Sequence, residues 1–60
     1  MSRLGQKVKD IRIKKGLSPK ALAKKAGVSE SFLLEVEDGT KILNENLVNR
    51  LSKILGVNLN

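Results

Sequence analysis

The chain has 60 residues, so it forms one domain at most, near the lower size limit for a stable hydrophobic core. It carries 12 Lys and Arg against 6 Asp and Glu, and this formal net charge of +6 favours a polyanionic partner. It has no Cys and no His, which excludes disulfides, thiolate metal sites and the commonest general base. Because Phe32 is its only aromatic residue, the core must be built from aliphatic side chains, which favours small packed helices.

Aliphatic residues recur at helical spacing near the N-terminus. Leu4, Val8 and Ile11 follow one another at intervals of four and three residues, which predicts an amphipathic helix over residues 3–15. Gly16 is the predicted stop, because glycine takes the left-handed conformation at which many helices end. The polar N-terminus is unlike a signal peptide, and no apolar run approaches the ~20 residues of a membrane span. We therefore expect a cytoplasmic protein with no membrane partner.

Two short helices with a tight turn between them follow. Ser18 is a predicted N-cap for a helix over residues 19–25, whose first residue is a proline at the position where its missing N–H costs little. Ser29 is a predicted N-cap for a third helix over residues 30–38. The intervening stretch AGV, residues 26–28, contains the glycine that a left-handed turn position favours. The pair is a candidate helix-turn-helix, although generic helical hairpins share part of this pattern.

The last part of the chain predicts a fourth helix. Asn44 is its N-cap, the helix covers residues 45–55, and Gly56 ends it. Its predicted buried face consists of Leu47, Leu51, Ile54 and Leu55. Nothing in the spacing of apolar residues indicates a strand or a second domain. The predicted fold is therefore all-α, a compact bundle of four or five short helices in a single domain over residues 1–60.

Four stretches of the sequence match the spacing of a known family without a gap. They are LGQKVKDIRIKKGLS, ALAKKAGVSESFL, EVEDG and LSKILGV. On these stretches the chain resembles the Cro/C1-type helix-turn-helix family, the phage-repressor-like DNA-binding domains, from about residue 4 to residue 57. The resemblance implies a lambda-repressor-like bundle, a repressor-like regulator of transcription, and a third helix laid in the major groove of double-stranded DNA. It also implies a partly buried structural ion pair between Arg12 and Glu37.

The resemblance also assigns DNA contacts by position. Base-reading positions fall on Glu30, Ser31, Leu34 and Glu35, with Ser29 as the helix cap. Phosphate contacts fall on Ser18, Lys20, Thr40 and Lys41. Phe32 lies in the same DNA-facing stretch, although a single aromatic ring more often fills space between helices than stacks on a base. The chain departs from the family at Pro19, where the family usually has Gln, and in the loop TKIL, which is poorer in Lys, Arg and Asn than usual.

The charge of the third helix is opposite to that of its neighbours. Residues 3–15 carry +5 and residues 19–25 carry +3, whereas residues 29–38 carry −4. In one interpretation Glu30 or Glu35 accepts a hydrogen bond from cytosine N4, while flanking lysines bind phosphates. In the other, the acids form a solvated face that repels DNA, or they dock a protein, as in an antitoxin-like or adaptor-like interaction module. A steep loss of DNA binding with salt distinguishes the first interpretation from the second.

Residue types argue against an enzyme. The chain lacks His, Cys and Tyr, has no Ser beside a suitable base, and has no glycine-rich phosphate loop. We therefore expect neither catalytic activity nor a cofactor nor a metal. The expected partner is double-stranded DNA, and the sequence leaves open both a homodimer and a protein partner.

Overall fold

The structure, a computed structural model, describes residues 3–59. Its four helices are α1 Arg3–Lys14, α2 Pro19–Ala26, α3 Glu30–Asp38 and α4 Glu45–Leu55. The all-α prediction is confirmed, and residues 3–59 contain four helices with no fifth. None of these helices has the length and apolar character needed to cross a membrane.

The ends of the helices follow from local signals. The ranges predicted for the third and fourth helices coincide with α3 and α4, whereas α1 ends one residue earlier than predicted and α2 one residue later. Gly16, with φ of 69°, ends α1: its N–H donates to Ile13 O at 3.0 Å, and the next N–H, of Leu17, donates to Arg12 O at 3.0 Å. Lys15 is the last residue before this closure: its N–H still donates to Ile11 O at 3.0 Å, although α1 itself ends at Lys14. Ala26 belongs to α2, so the turn of the helix-turn-helix is formed by residues 27–29 rather than 26–28.

Side-chain caps begin three of the helices, at the residues predicted. In each, a side-chain oxygen accepts a hydrogen bond from the backbone N–H three residues further on. The pairs are Ser18 with Ala21 at 3.0 Å, Ser29 with Phe32 at 3.0 Å, and Asn44 with Leu47 at 2.8 Å. Each cap satisfies an N–H that has no partner within its helix, and such a cap typically stabilises by about 1 kcal/mol.

All four helices contribute to one aliphatic core. Its buried members are Val8, Leu22, Ala23, Ala26, Leu33, Val48, Leu51, Leu55 and Leu59. The predicted face of α4 is wrong in part, because Val48 is buried with Leu51 and Leu55, while Leu47 and Ile54 are half-buried. The apolar arc of α4 is wider than its buried centre, so its two edges remain partly exposed. Beyond Gly56 the chain turns back, and the Leu59 N–H donates to Ser52 Oγ at 3.3 Å.

α1 and α3 approach each other closely at Gly5. A Cβ added at Gly5 would lie 1.9 Å from the backbone oxygen of Val36 and 2.9 Å from its carbonyl carbon. Only a residue without a side chain fits against this backbone carbonyl. The contact sets the spacing of the two helices at one end of α1, and Gly5 is itself buried.

Substitution of Gly5 by Ala tests this close approach. A Gly to Ala change in a helix ordinarily stabilises by about 0.5–1 kcal/mol, because glycine has a low helix propensity. Here we expect destabilisation by about 1–3 kcal/mol, because the methyl group forces α1 away from α3. Urea denaturation followed by circular dichroism measures the difference. The exposed neighbour Gln6→Ala is the control and should change stability by less than ~0.5 kcal/mol; a more stable Gly5→Ala variant would contradict the packing described.

Candidate nucleic-acid interface

A buried ion pair holds α3 against α1. Arg12 Nε donates to Glu37 Oε2 at 2.8 Å, and Arg12 Nη2 donates to Glu37 Oε1 at 3.0 Å. The third guanidinium nitrogen, Nη1, donates to the backbone oxygen of Leu17 at 2.8 Å. The side chains are only 9% and 2% exposed. The structure thus contains the ion pair that the family resemblance implies, in the bidentate geometry that suits a guanidinium and a carboxylate.

The charges of this pair are well compensated despite their burial. The hydrogen bond to Glu37 raises the pKa of Arg12, and the charge of the same carboxylate adds to the effect, while burial acts in the opposite direction. Arg12 therefore stays protonated at neutral pH. Among residues 3–59, every buried side-chain nitrogen and oxygen has a hydrogen-bond partner. A pair so well satisfied makes the orientation of α3 specific, because a rotated helix would leave two buried charges unpaired.

With one side of α3 fixed, its opposite side faces outward. Leu33 and Val36 are each 1% exposed, whereas Leu34 is 41% exposed. Glu30 and Ser31 are exposed and Glu35 is half-buried, so the four positions expected to contact bases lie on the accessible side of α3. Phe32 is half-buried, and its backbone N–H is used by the Ser29 cap.

The four positions expected to contact phosphates are also exposed: Ser18, Lys20, Thr40 and Lys41. They lie at the start of α2 and directly after α3. The Thr40 hydroxyl donates to the backbone oxygen of Glu35 at 3.0 Å, and the Thr40 N–H reaches the same oxygen at 2.9 Å. Thr40 therefore helps to close the C-terminal end of α3. Lys41, the next residue, is the only cationic residue in the loop over residues 39–44.

Arg50 has a structural role that the sequence does not indicate. Its Nη1 donates to the backbone oxygen of Ala26 at 2.8 Å, so α4 is tied to the last residue of α2. The same nitrogen would lie 3.6 Å from a Cβ added at Gly27 in the turn. The two partners are 24 residues apart in the chain. Because every residue has a backbone carbonyl, the sequence does not indicate which one Arg50 binds.

Comparison with known proteins places this arrangement in a family. A family profile described as helix-turn-helix matches residues 8–60 of the chain. The chain belongs to the Cro/C1-type helix-turn-helix family. Because the chain belongs to this family, α2 and α3 are the helix-turn-helix pair of a DNA-binding regulator.

The solved structures that are similar to this Cro/C1-type chain include those of two regulators. The clp gene regulator ClgR from Corynebacterium glutamicum is 30% identical with a TM-score of 0.89; the match covers 93% of this chain and 60% of that one. The master regulator for biofilm formation SinR, solved in complex with DNA, is 33% identical with a TM-score of 0.85; the match covers 93% of this chain and 90% of that one. No curated protein sequence matches the chain.

The ion pair that orients α3 in this Cro/C1-type domain is tested by Glu37→Ala. The change leaves the buried guanidinium of Arg12 with a single carbonyl partner, so we expect a loss of about 3 kcal/mol or more in the free energy of unfolding. Thermal and urea denaturation measure the loss. The control is Asp38→Ala, which removes an exposed acid from the next position of α3 and should be neutral or slightly stabilising at the negative end of the helix dipole. Equal stability of the two variants would contradict the role given to Glu37.

Proposed function

We propose that the chain is a regulator of transcription that binds double-stranded DNA with α3 in the major groove. The observation that carries this proposal is the outward face of α3, held in one orientation by the pair between Arg12 and Glu37. The likeness to SinR, which is solved with DNA, supports it further. An exposed helix of nine residues flanked by cationic side chains has the dimensions to enter a groove about 12 Å wide.

The proposed base contacts use the residues of this outward face. Glu35 would accept a hydrogen bond from cytosine N4, Ser31 would bond to either a donor or an acceptor, and Leu34 would pack on a thymine methyl group. Glu30 has a structural reason to be acidic, because it lies in the first turn of α3, where the helix dipole favours a negative charge. Glu37 is used in the core, so its charge is not presented to DNA.

Affinity in this proposal comes mainly from residues beside α3. Lys20 at the start of α2 and Lys41 after α3 would bind phosphates on either side of the groove, with Ser18 and Thr40 near them. Neutralisation of phosphates releases counterions and supplies affinity that does not depend on sequence. The acids of α3 oppose that general attraction and would select duplexes that offer a hydrogen-bond donor in the groove. Cations thus provide binding, and acids provide discrimination.

We further propose a repressor-like regulator that acts in the cytoplasm and has no enzymatic activity. A homodimer would place two reading helices on half-sites one helical turn apart, about 34 Å, as is usual for helix-turn-helix proteins. Such pairing would compensate for the few base contacts that a single nine-residue helix offers. The alternative of a protein docked on the acidic α3 has no observation in its favour.

Replacement of Glu35 by Gln tests the role of the acidic face. Removal of the negative charge should strengthen binding to random duplex DNA by about twofold or more at ~0.1 M salt, because it removes repulsion within a Debye length of the phosphates. It should also reduce discrimination at one base pair by about 1–3 kcal/mol, because cytosine N4 loses its charged acceptor. Fluorescence anisotropy with a selected duplex and with its single-base variants measures both quantities.

Lys20→Ala is the matched contrast for that experiment. It should weaken binding to every duplex alike and reduce the slope of log affinity against log salt by ~1, because it removes one phosphate contact. The two variants thus affect different quantities, discrimination in one and salt dependence in the other. If Glu35→Gln leaves both affinity and discrimination unchanged, α3 does not lie in the groove.

A further inference from the structure

A polar cleft lies on α4, and none of its lining residues belongs to α3. It has a volume of about 380 Å³ and is lined by Asn46, Asn49, Arg50 and Lys53. These residues follow the spacing i, i+3, i+4 and i+7, so their side chains project from one side of the helix. The lining within residues 3–59 carries two positive charges and two amides, with no carboxylate to neutralise them.

The chemistry of this α4 cleft is that of an anion site. A guanidinium offers five N–H donors, an ammonium offers three, and each amide offers two. A phosphate group accepts hydrogen bonds through several oxygens and pairs well with the planar fork of an arginine. Four neighbouring side chains that all donate hydrogen bonds, two of them positively charged, therefore fit a phosphate better than they fit a cation or an apolar group.

One of the four donors is held in place before any ligand binds. The bond from Arg50 Nη1 to Ala26 O, at 2.8 Å, fixes the guanidinium between α4 and the end of α2. Within the described part of the chain this bond engages one of the five N–H groups of Arg50. A fixed arginine loses less conformational entropy on binding than a free one does. The α4 cleft is therefore partly preorganised.

A purely structural role explains only part of this arrangement. Arg50 stabilises the C-terminal end of α2, where Lys24 and Lys25 already complement the helix dipole. That role requires neither Lys53 nor the two asparagines, which lie on the exposed side of α4. They line the same cleft as Arg50, and that shared lining is the observation on which an anion site rests.

We propose that the α4 cleft binds a phosphate group, supplied by a DNA phosphodiester or by a small phosphate-bearing molecule. The proposal does not depend on where α3 binds, because none of the residues that line the cleft belongs to α3 or to its flanking lysines. The cleft borders the turn of the helix-turn-helix through the contact of Arg50 with Ala26 and Gly27. A phosphate bound there would add a contact next to the motif rather than on its reading helix.

The first arm of the test uses inorganic phosphate and no DNA. Phosphate is titrated at constant ionic strength into the wild-type chain while NMR follows the Arg50 Nε–H and the side-chain amides of Asn46 and Asn49. We expect saturable shifts with a Kd of about 1–10 mM, as suits an exposed site for a small ion. Lys53→Gln should weaken the binding by about fivefold, because it removes one charge-assisted hydrogen bond.

Lys14→Gln is the control for that arm, because it removes the same charge from an exposed position of α1. It should leave the Kd unchanged. Circular dichroism of all variants verifies that they are folded; Lys53 is exposed, so its replacement should not affect the core. Absence of saturable shifts, or an equal effect of Lys53→Gln and Lys14→Gln, would overturn the proposal.

The second arm identifies the source of the phosphate. If it belongs to DNA, a random duplex shifts the same α4 resonances, and Lys53→Gln reduces the salt slope of duplex binding by ~1. If it belongs to a small molecule, the duplex leaves the α4 resonances unchanged, while phosphate still shifts them. Both results keep the α4 site and assign its ligand. Failure of α3 to bind DNA would leave the first arm unaffected, so the two proposals can fail separately.

Discussion

The bidentate pair between Arg12 and Glu37 is the interaction on which the rest of the structure depends. It joins α1 to α3, and the same guanidinium reaches the backbone of Leu17 in the link to α2. A 60-residue chain has few apolar contacts with which to fix the rotation of a nine-residue helix. A buried pair of charges fixes it, because any other rotation leaves both charges without partners. The exposed face of α3 is the consequence of that constraint.

The same pair changes how the acidity of α3 is understood. Four acids on a presumed DNA-reading helix would repel the phosphates, but Glu37 is neutralised in the core and Glu30 lies at the positive end of the helix dipole. Of the four acids, only Glu35 and Asp38 have neither an ion-pair partner in the core nor a place in the first turn of α3. Cationic residues predominate on α1, on α2, at Lys41 after α3 and on α4, and the chain as a whole carries a net charge of +6. In the proposed function, attraction to DNA and discrimination between sequences are assigned to separate parts of the surface.

Local signals in the sequence predicted the helices well, and contacts between distant residues were harder to foresee. The caps at Ser18, Ser29 and Asn44 depend on backbone groups three residues away, so the sequence shows both partners. The contact of Gly5 with Val36 and the bond of Arg50 to Ala26 join distant segments through backbone oxygens, which every residue possesses. The pairing of Arg12 with Glu37 was foreseen through the family resemblance, since twelve cations and six acids permit many pairings. The proposed DNA contacts rest on the same resemblance.

The most direct test of the central claim is an NMR experiment on the chain bound to a duplex obtained by selection. Leu34 is the outward apolar residue in the middle of α3, so its methyl groups report on what that face touches. If α3 lies in the major groove, we expect intermolecular nuclear Overhauser effects between Leu34 methyl groups and base protons of the groove, in particular thymine methyl protons. Contacts confined to the lysines of α1 and α2, with Leu34 unchanged on binding, would contradict it.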